Sequence, residues 1–152
     1  MANFQKILFP VDLSESSEKI APFVKELAAK LKADIYLLFV ARRLQGYGLL
    51  YVPHPNIKQF EEDLTKGGIR KLKEFVEIVF EDRRPLSAEV VAGEPSEVII
   101  EYAVSKGIDV IVMGTHGRKG LDRILFGSVA EHVVKNSPIP VLTVNPYKSE
   151  AA

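Results

Sequence analysis

Four glycines and a serine dominate the residues whose types and spacing could do chemistry. The chain reads Gly114-Thr-His-Gly117-Arg-Lys-Gly120-Leu-Asp-Arg-Ile-Leu-Phe-Gly127-Ser128, directly after an apolar run from Ile108 to Met113. Glycines just past a buried strand let the main chain approach a ligand closely, with amides turned toward anionic oxygens. Gly127 and Ser128 open a segment of helical period, and the unpaired amides and positive dipole end of a helix start favour an anion. Arg118, Lys119 and Arg123 add local positive charge. These are the parts of a polyphosphate site. The same residues also suit a simpler role, since glycines at strand ends make turns and Ser128-Val-Ala-Glu131 has the spacing of a capping box. The residues alone leave both readings open. The spacing is neither that of a Walker A loop nor that of a dinucleotide turn.

Asp12 ends the first apolar run and is either a turn residue or a hydrogen-bond acceptor for a ligand. His116 lies inside the glycine segment, where it is either a phosphate contact or an exposed loop residue. His54 and His132 read as surface residues. No histidine or carboxylate has metal-ligand spacing with any of them, so no metal site is assigned among the side chains. A magnesium or manganese ion held mainly by phosphates is compatible with the chain. No nucleophile with a neighbouring base is evident, so no catalytic residue is assigned.

The elements that must position these residues alternate along the chain. Strands are expected at Phe4 to Val11, Asp34 to Ala41, Leu86 to Ala92, Ile108 to Met113 and Val141 to Asn145. Between them, helical periodicity runs through Glu15 to Leu31, Ile57 to Val79, Ser96 to Lys106 and Ser128 to Asn136. Ser14 or Ser17 caps the first helix, and Pro22 predicts a late start or a kink there. Gly67-Gly68 falls inside the second helix, where close packing or a bend must offset its cost. Pro95 opens the third. Strict alternation implies a parallel sheet with helices on both faces, and ligands in such sheets bind beyond the carboxyl ends of the strands, where strand order reverses. The strand ends at Asp12, Val40 and Gly114 are therefore the ones to inspect.

Composition bounds the rest. The 152 residues suit one domain over 1–146 with a short polar tail over 147–152. Lys and Arg number 20 against 20 Asp and Glu, so no global charge draws the chain to nucleic acid or anionic membrane. There is no cysteine, which excludes disulfides, thiolate zinc sites and a cysteine nucleophile. The opening apolar run is too short for an export signal and no stretch has the length of a membrane span, so a soluble cytoplasmic protein is expected. The loop over 42–56, with Arg42, Arg43, Tyr47 and Tyr51, reads as a lid or a protein-partner surface.

Gly114-x2-Gly117-x9-Gly127-Ser128 resembles the motif of the nucleotide-binding branch of the universal stress protein family. Ile7-Leu-Phe-Pro-Val-Asp12, Gly93-Glu-Pro95, Asp109-Val-Ile-Val-Met-Gly114 and Ser137-Pro-Ile-Pro-Val141 extend the resemblance over nearly the whole chain. It implies a single-domain, Rossmann-like fold of the adenine nucleotide α-hydrolase-like type, with a five-stranded parallel sheet ordered 3-2-1-4-5. It further implies ATP, or ADP or AMP, as ligand. Pro10, Val11 and Asp12 would contact adenine and ribose, and Val40 would close the adenine pocket. Met113 and Gly114 would lie against ribose and α-phosphate, and Gly117, Gly127, Ser128 and Val129 would cradle the phosphates, with His116 and Arg118 beside them. The last strand would pair with its copy in a homodimer. A binding and signalling role is expected, with slow ATP hydrolysis on the same site as the rival. The Ser-Gly-Gly-x-Asp-Ser loop of related adenylating enzymes is replaced here by Val11-Asp-Leu-Ser14. A flavin-binding fold would carry its phosphate loop after the first strand, whereas the glycines here follow the fourth.

Overall fold

The computed structural model describes residues 3–42, 54–116 and 127–147, and the side chains of 54–57 are left aside. Its elements alternate as expected: β1 (Lys6–Val11), α1 (Glu15–Leu31), β2 (Asp34–Arg42), α2 (His54–Val79), β3 (Ser87–Gly93), α3 (Pro95–Ser105), β4 (Val110–Gly114), α4 (Ser128–Asn136) and β5 (Val141–Val144). All described pairings are parallel, and the sheet runs β3-β2-β1-β4-β5.

Handedness explains the layers. Crossovers between parallel strands are right-handed, so helices made while the chain steps one way cover one face. Those made while it steps back cover the other. Accordingly α1 and α2 place Ile20, Val24, Leu72 and Phe75 in one core with Ile7, Phe9 and Leu37. The opposite core joins Ile99, Ala103, Ala130 and Val133 of α3 and α4 to Leu8, Leu38 and Ile111. Ile7 and Leu8 are both fully buried, as consecutive residues of a strand covered on both faces must be.

Some boundaries move. β1 begins at Lys6 and β4 only at Val110. Asp109 interrupts the fourth apolar run because its carboxylate accepts the amides of Gln5 and Lys6, each at 2.9 Å, tying the entry of β4 to that of β1. α2 already begins at His54, so residues 54–56 are helical rather than loop. Ser14 is the N-cap of α1, accepting from the Ser16 amide, and the helix runs through Pro22. Pro22 is exposed, so the Glu18 carbonyl that loses its donor lies on the wet side of the helix.

The paired glycines of α2 separate into two roles. A Cβ on Gly68 would stand 3.0 Å from the Phe39 ring and 3.2 Å from Val90, so the helix lies against the sheet there. A Cβ on Gly67 would meet nothing within 4 Å. From Gly68 onward Leu72 and Phe75 are buried, whereas Phe60 and Leu64, placed on the same apolar face by the periodicity, remain exposed. At the other end of α2, Lys25 of α1 donates to the Val79 carbonyl (2.8 Å) and to Asp82 (2.9 Å). That hydrogen bond holds the Asp82 carboxyl below its usual range.

Gly67→Ala should therefore stabilise the protein by about 1 kcal/mol through helix propensity alone. Gly68→Val should destabilise it by about 1–3 kcal/mol through overpacking. Urea denaturation midpoints of the two variants check both signs.

Candidate functional site

The sheet's switch point lies between β1 and β4, whose register pairs Ile7 with Val110 and Leu8 with Ile111. Continuing that register brings Val11 level with Gly114, while Val11 pairs with Phe39 on the other side, placing Val40 one residue beyond, level with Asp12. Gly114 pairs with Val144 of β5. Pro10, Val11, Asp12, Val40, Met113 and Gly114 thus share the carboxyl end of the sheet. Val11 and Met113 are buried in the two cores, so main chain is what they present to a ligand.

Asp12 sits in a turn built by its own neighbours. Its Oδ1 accepts from the Ser14 amide (3.0 Å), the Ser14 hydroxyl and the Ser17 hydroxyl (2.8 Å), while the Ser17 hydroxyl accepts the Asp12 amide at 3.0 Å. Leu13 adopts a left-handed φ of 61° inside this turn. All three side-chain bonds converge on Oδ1, so the turn fixes the carboxylate without using Oδ2. Ser17 caps nothing; it locks Asp12. The spacing Asp-x-Ser-x-x-Ser was the signal for this turn, since short hydroxyl and carboxylate side chains bond nearby main chain.

Gly114 has a packing reason for being glycine. A Cβ there would lie 2.6 Å from Ile20 Cδ1 and 3.2 Å from the His116 carbonyl. Ile20 is nearly fully buried on α1, so the first helix approaches the end of β4 only because no side chain intervenes. Beyond it, the Thr115 amide donates to the Val144 carbonyl (2.9 Å), and the Gly127 amide donates to the Thr115 carbonyl (2.7 Å). The start of α4 is thereby pinned to the end of β4.

His116 is buried at 8 % exposure, which corrects the exposed-loop reading. Its Nδ1 lies 2.8 Å from the Thr115 hydroxyl, and its ring meets Tyr147 edge-on at 5.7 Å. Lys19 of α1 holds its ammonium 5.1 Å from the centre of the Tyr147 ring. The burial was invisible beforehand because Tyr147 comes from the far end of the chain. His132 is exposed on α4.

α4 also departs from expectation. Gly127, not Ser128, is the N-cap, so Ser128 occupies the first helical position. The capping box does not form: Glu131 pairs instead with Lys135 at 2.8 Å, which holds its carboxyl below the usual range. Gly117, Arg118, Lys119, Gly120 and Arg123 lie outside the described residues, as does most of the 42–56 loop. No group of three metal-ligating side chains occurs among the described residues. No helix among them is long and apolar enough to cross a membrane.

A family model described as the universal stress protein family matches residues 3–145. The chain is 35% identical to Universal stress protein MJ0531 of Methanocaldococcus jannaschii, over 97% of this chain and 85% of that one. It is 31% identical to Universal stress protein YxiE of Bacillus subtilis, over 93% and 99% of the two chains. Among solved structures, MJ0577, described as a test case for structure-based assignment of function, superposes with a TM-score of 0.78. It is 30% identical and covers 94% of this chain and 96% of its own. The chain belongs to the universal stress protein family. Two structures of this family, each under 25% identical to the chain, contain cAMP in one case and, in a protein from Archaeoglobus fulgidus, dAMP in the other.

If Gly114 is glycine because of Ile20, Gly114→Ala should lower stability by about 1–3 kcal/mol. Adding Ile20→Val, which removes the opposing methyl, should recover part of the loss. A double-mutant cycle on thermal unfolding reads this coupling, and strict additivity would assign the glycine another reason.

Proposed function

We propose that this chain holds an adenine nucleotide across the carboxyl ends of β1 and β4, with ATP as the principal form and ADP or AMP as alternatives. Nucleotide occupancy then governs a partner interaction. The reading rests on one coincidence, the convergence of the Asp12 turn, the end of β4 and the start of α4 at the sheet's switch point. Ligands of parallel sheets bind at such points. Asp12 supplies an acceptor suited to ribose or adenine, Pro10 and Val40 flank it, and Val11 and Met113 contribute main chain. The phosphates lie against the first turn of α4, where the amides of Ser128 and Val129 precede any intrahelical acceptor. His116 borders this region, and Gly117 and Arg118, outside the described residues, are the further phosphate contacts that the family resemblance implies.

Gly127 is compatible with this reading. Its φ of −59° and ψ of 148° suit any residue, so its own backbone does not call for glycine. As the N-cap of α4 it has a local reason, and close approach of a phosphate would be a second. Gly114, which also faces Ile20, lies against ribose and α-phosphate in this reading. The family complexes with cAMP and dAMP share an adenine and a phosphate with the proposed ligand. A divalent ion would be held mainly by the phosphates, since the described side chains offer no cluster for it.

β5 is a sheet edge, with Leu142 exposed, and pairing with a second copy would cover it as a homodimer. Binding is the primary reading, and slow ATP hydrolysis on the same site is its rival.

Chromatography of the supernatant after denaturing freshly purified protein should show adenine nucleotide, and calorimetry on the emptied protein should show ATP binding. Gly127→Val should abolish binding while leaving the unfolding temperature of the nucleotide-free protein within a few degrees of wild type. An empty site without ATP affinity overturns the reading. Sedimentation should show a dimer that Leu142→Glu converts to monomer; a monomeric wild type removes that part alone.

A further inference from the structure

The sheet is incompletely covered beside β3. Among the described residues β3 pairs only with β2, and α3 packs mainly against β2 and α4 rather than over the β3 edge. The gap is a concavity of about 540 Å³ between the carboxyl half of β3 and the flank of α3. It is on the sheet's opposite side from α1 and away from the Asp12 turn. Val91, Val98 and the Tyr102 ring give it apolar walls, and Glu94, Glu97 and Glu101 give it an acidic one.

Three features of this groove go together. The outer main-chain groups of β3 have no strand partner, so they can pair with an added strand. Glu97 and Glu101 are exposed and make no ion pair among the described residues, whereas Glu94 reaches Arg42 at 3.5 Å. Residues four apart on a helix rise about 6 Å, and alternate residues of a strand advance about 6.7 Å. Cationic side chains at alternate positions of a strand laid along β3 would therefore meet Glu97 and Glu101 in turn.

The third feature is Tyr102. The residue is 6 % exposed, and its hydroxyl is a buried polar atom without a hydrogen-bond partner among the described residues. Ser87 and Glu89 of β3 lie close enough to act on it, and burial pushes its pKa up. Glu89 itself is engaged by Lys106 at 3.6 Å. The groove thus sets the unpaired carboxylates of Glu97 and Glu101 beside the apolar surface of the Tyr102 ring, whose hydroxyl is buried beneath.

We propose that the β3 edge and the acidic flank of α3 receive an extended basic segment of a partner protein, added to the sheet as a further strand. Its lysines or arginines, at alternate positions, pair with Glu97 and Glu101, and its intervening residues lie on the other face. A second copy of this chain is a poor occupant, because pairing β3 with β3 would bring two acidic flanks together. Charges beside an edge also guard it against indiscriminate pairing, and an oppositely charged strand is the partner such a guard admits. A polyamine matches the charge but cannot use the edge. The inference stands independently of the nucleotide reading.

The test is fluorescence anisotropy of a short labelled peptide alternating lysine and threonine, titrated with the full chain at low salt. Saturable binding is expected. It should weaken about tenfold in the Glu97→Gln/Glu101→Gln double variant. Glu15→Gln/Glu26→Gln, an equal charge change on α1, should leave it unaltered. N-methylation of alternate peptide amides, which keeps the charge and blocks strand pairing, should remove it. Absence of binding, equal binding by the Glu97/Glu101 variant, or equal binding of the N-methylated peptide each overturns the proposal.

Discussion

Parallel neighbours in a sheet can be joined only by a crossover, and such crossovers are right-handed almost without exception. In this chain that rule has a local consequence. After β1 the chain steps outward through β2 to β3, and it then completes the sheet by returning past β1 to β4. The return reverses the face on which helices form, so α1 and α2 lie on one side and α3 and α4 on the other. Between β1 and β4 the connecting segments leave in opposite directions. The cleft that results is a product of topology, before any side chain lines it.

What lines it is fixed largely by the protein itself. Ser14 and Ser17 hold the Asp12 carboxylate, Ile20 takes the space left by Gly114, and the Thr115 carbonyl fixes the first amide of the α4 turn. These groups are held by short-range contacts with α1 and β5. A site arranged in advance loses less conformational freedom on binding. It also means that residue types resembling a ligand motif can have internal reasons as well, as Gly114 does in facing Ile20.

The fold was legible because its determinants are local and repeated. Apolar runs of strand length alternate with helix-period segments, and Pro95 opens α3 as its fixed φ predicts. The strand order came from family resemblance and agrees with the observed pairing. Site details were legible only where neighbours in sequence decide them, as in the Asp12 turn. The burial of His116 depends on Tyr147, and the closeness of Gly114 to Ile20 depends on how α1 seats on the sheet. Neither leaves a periodic trace. Ser128 failed as a cap for a finer reason: Gly127 can end the preceding segment equally well, and a shift of one residue dissolves the capping box.

The bond from the Gly127 amide to the Thr115 carbonyl has a consequence for variation in the family. It joins Thr115 to Gly127 at the sheet itself, so the chain between them is closed by contacts of β4, β5 and α4. Loop-closure entropy grows slowly with length, by about 0.6 kcal/mol per doubling. Closing the chain therefore puts little constraint on how many residues lie between these anchors, so the x2 and x9 spacings of the glycine motif answer to something other than folding cost.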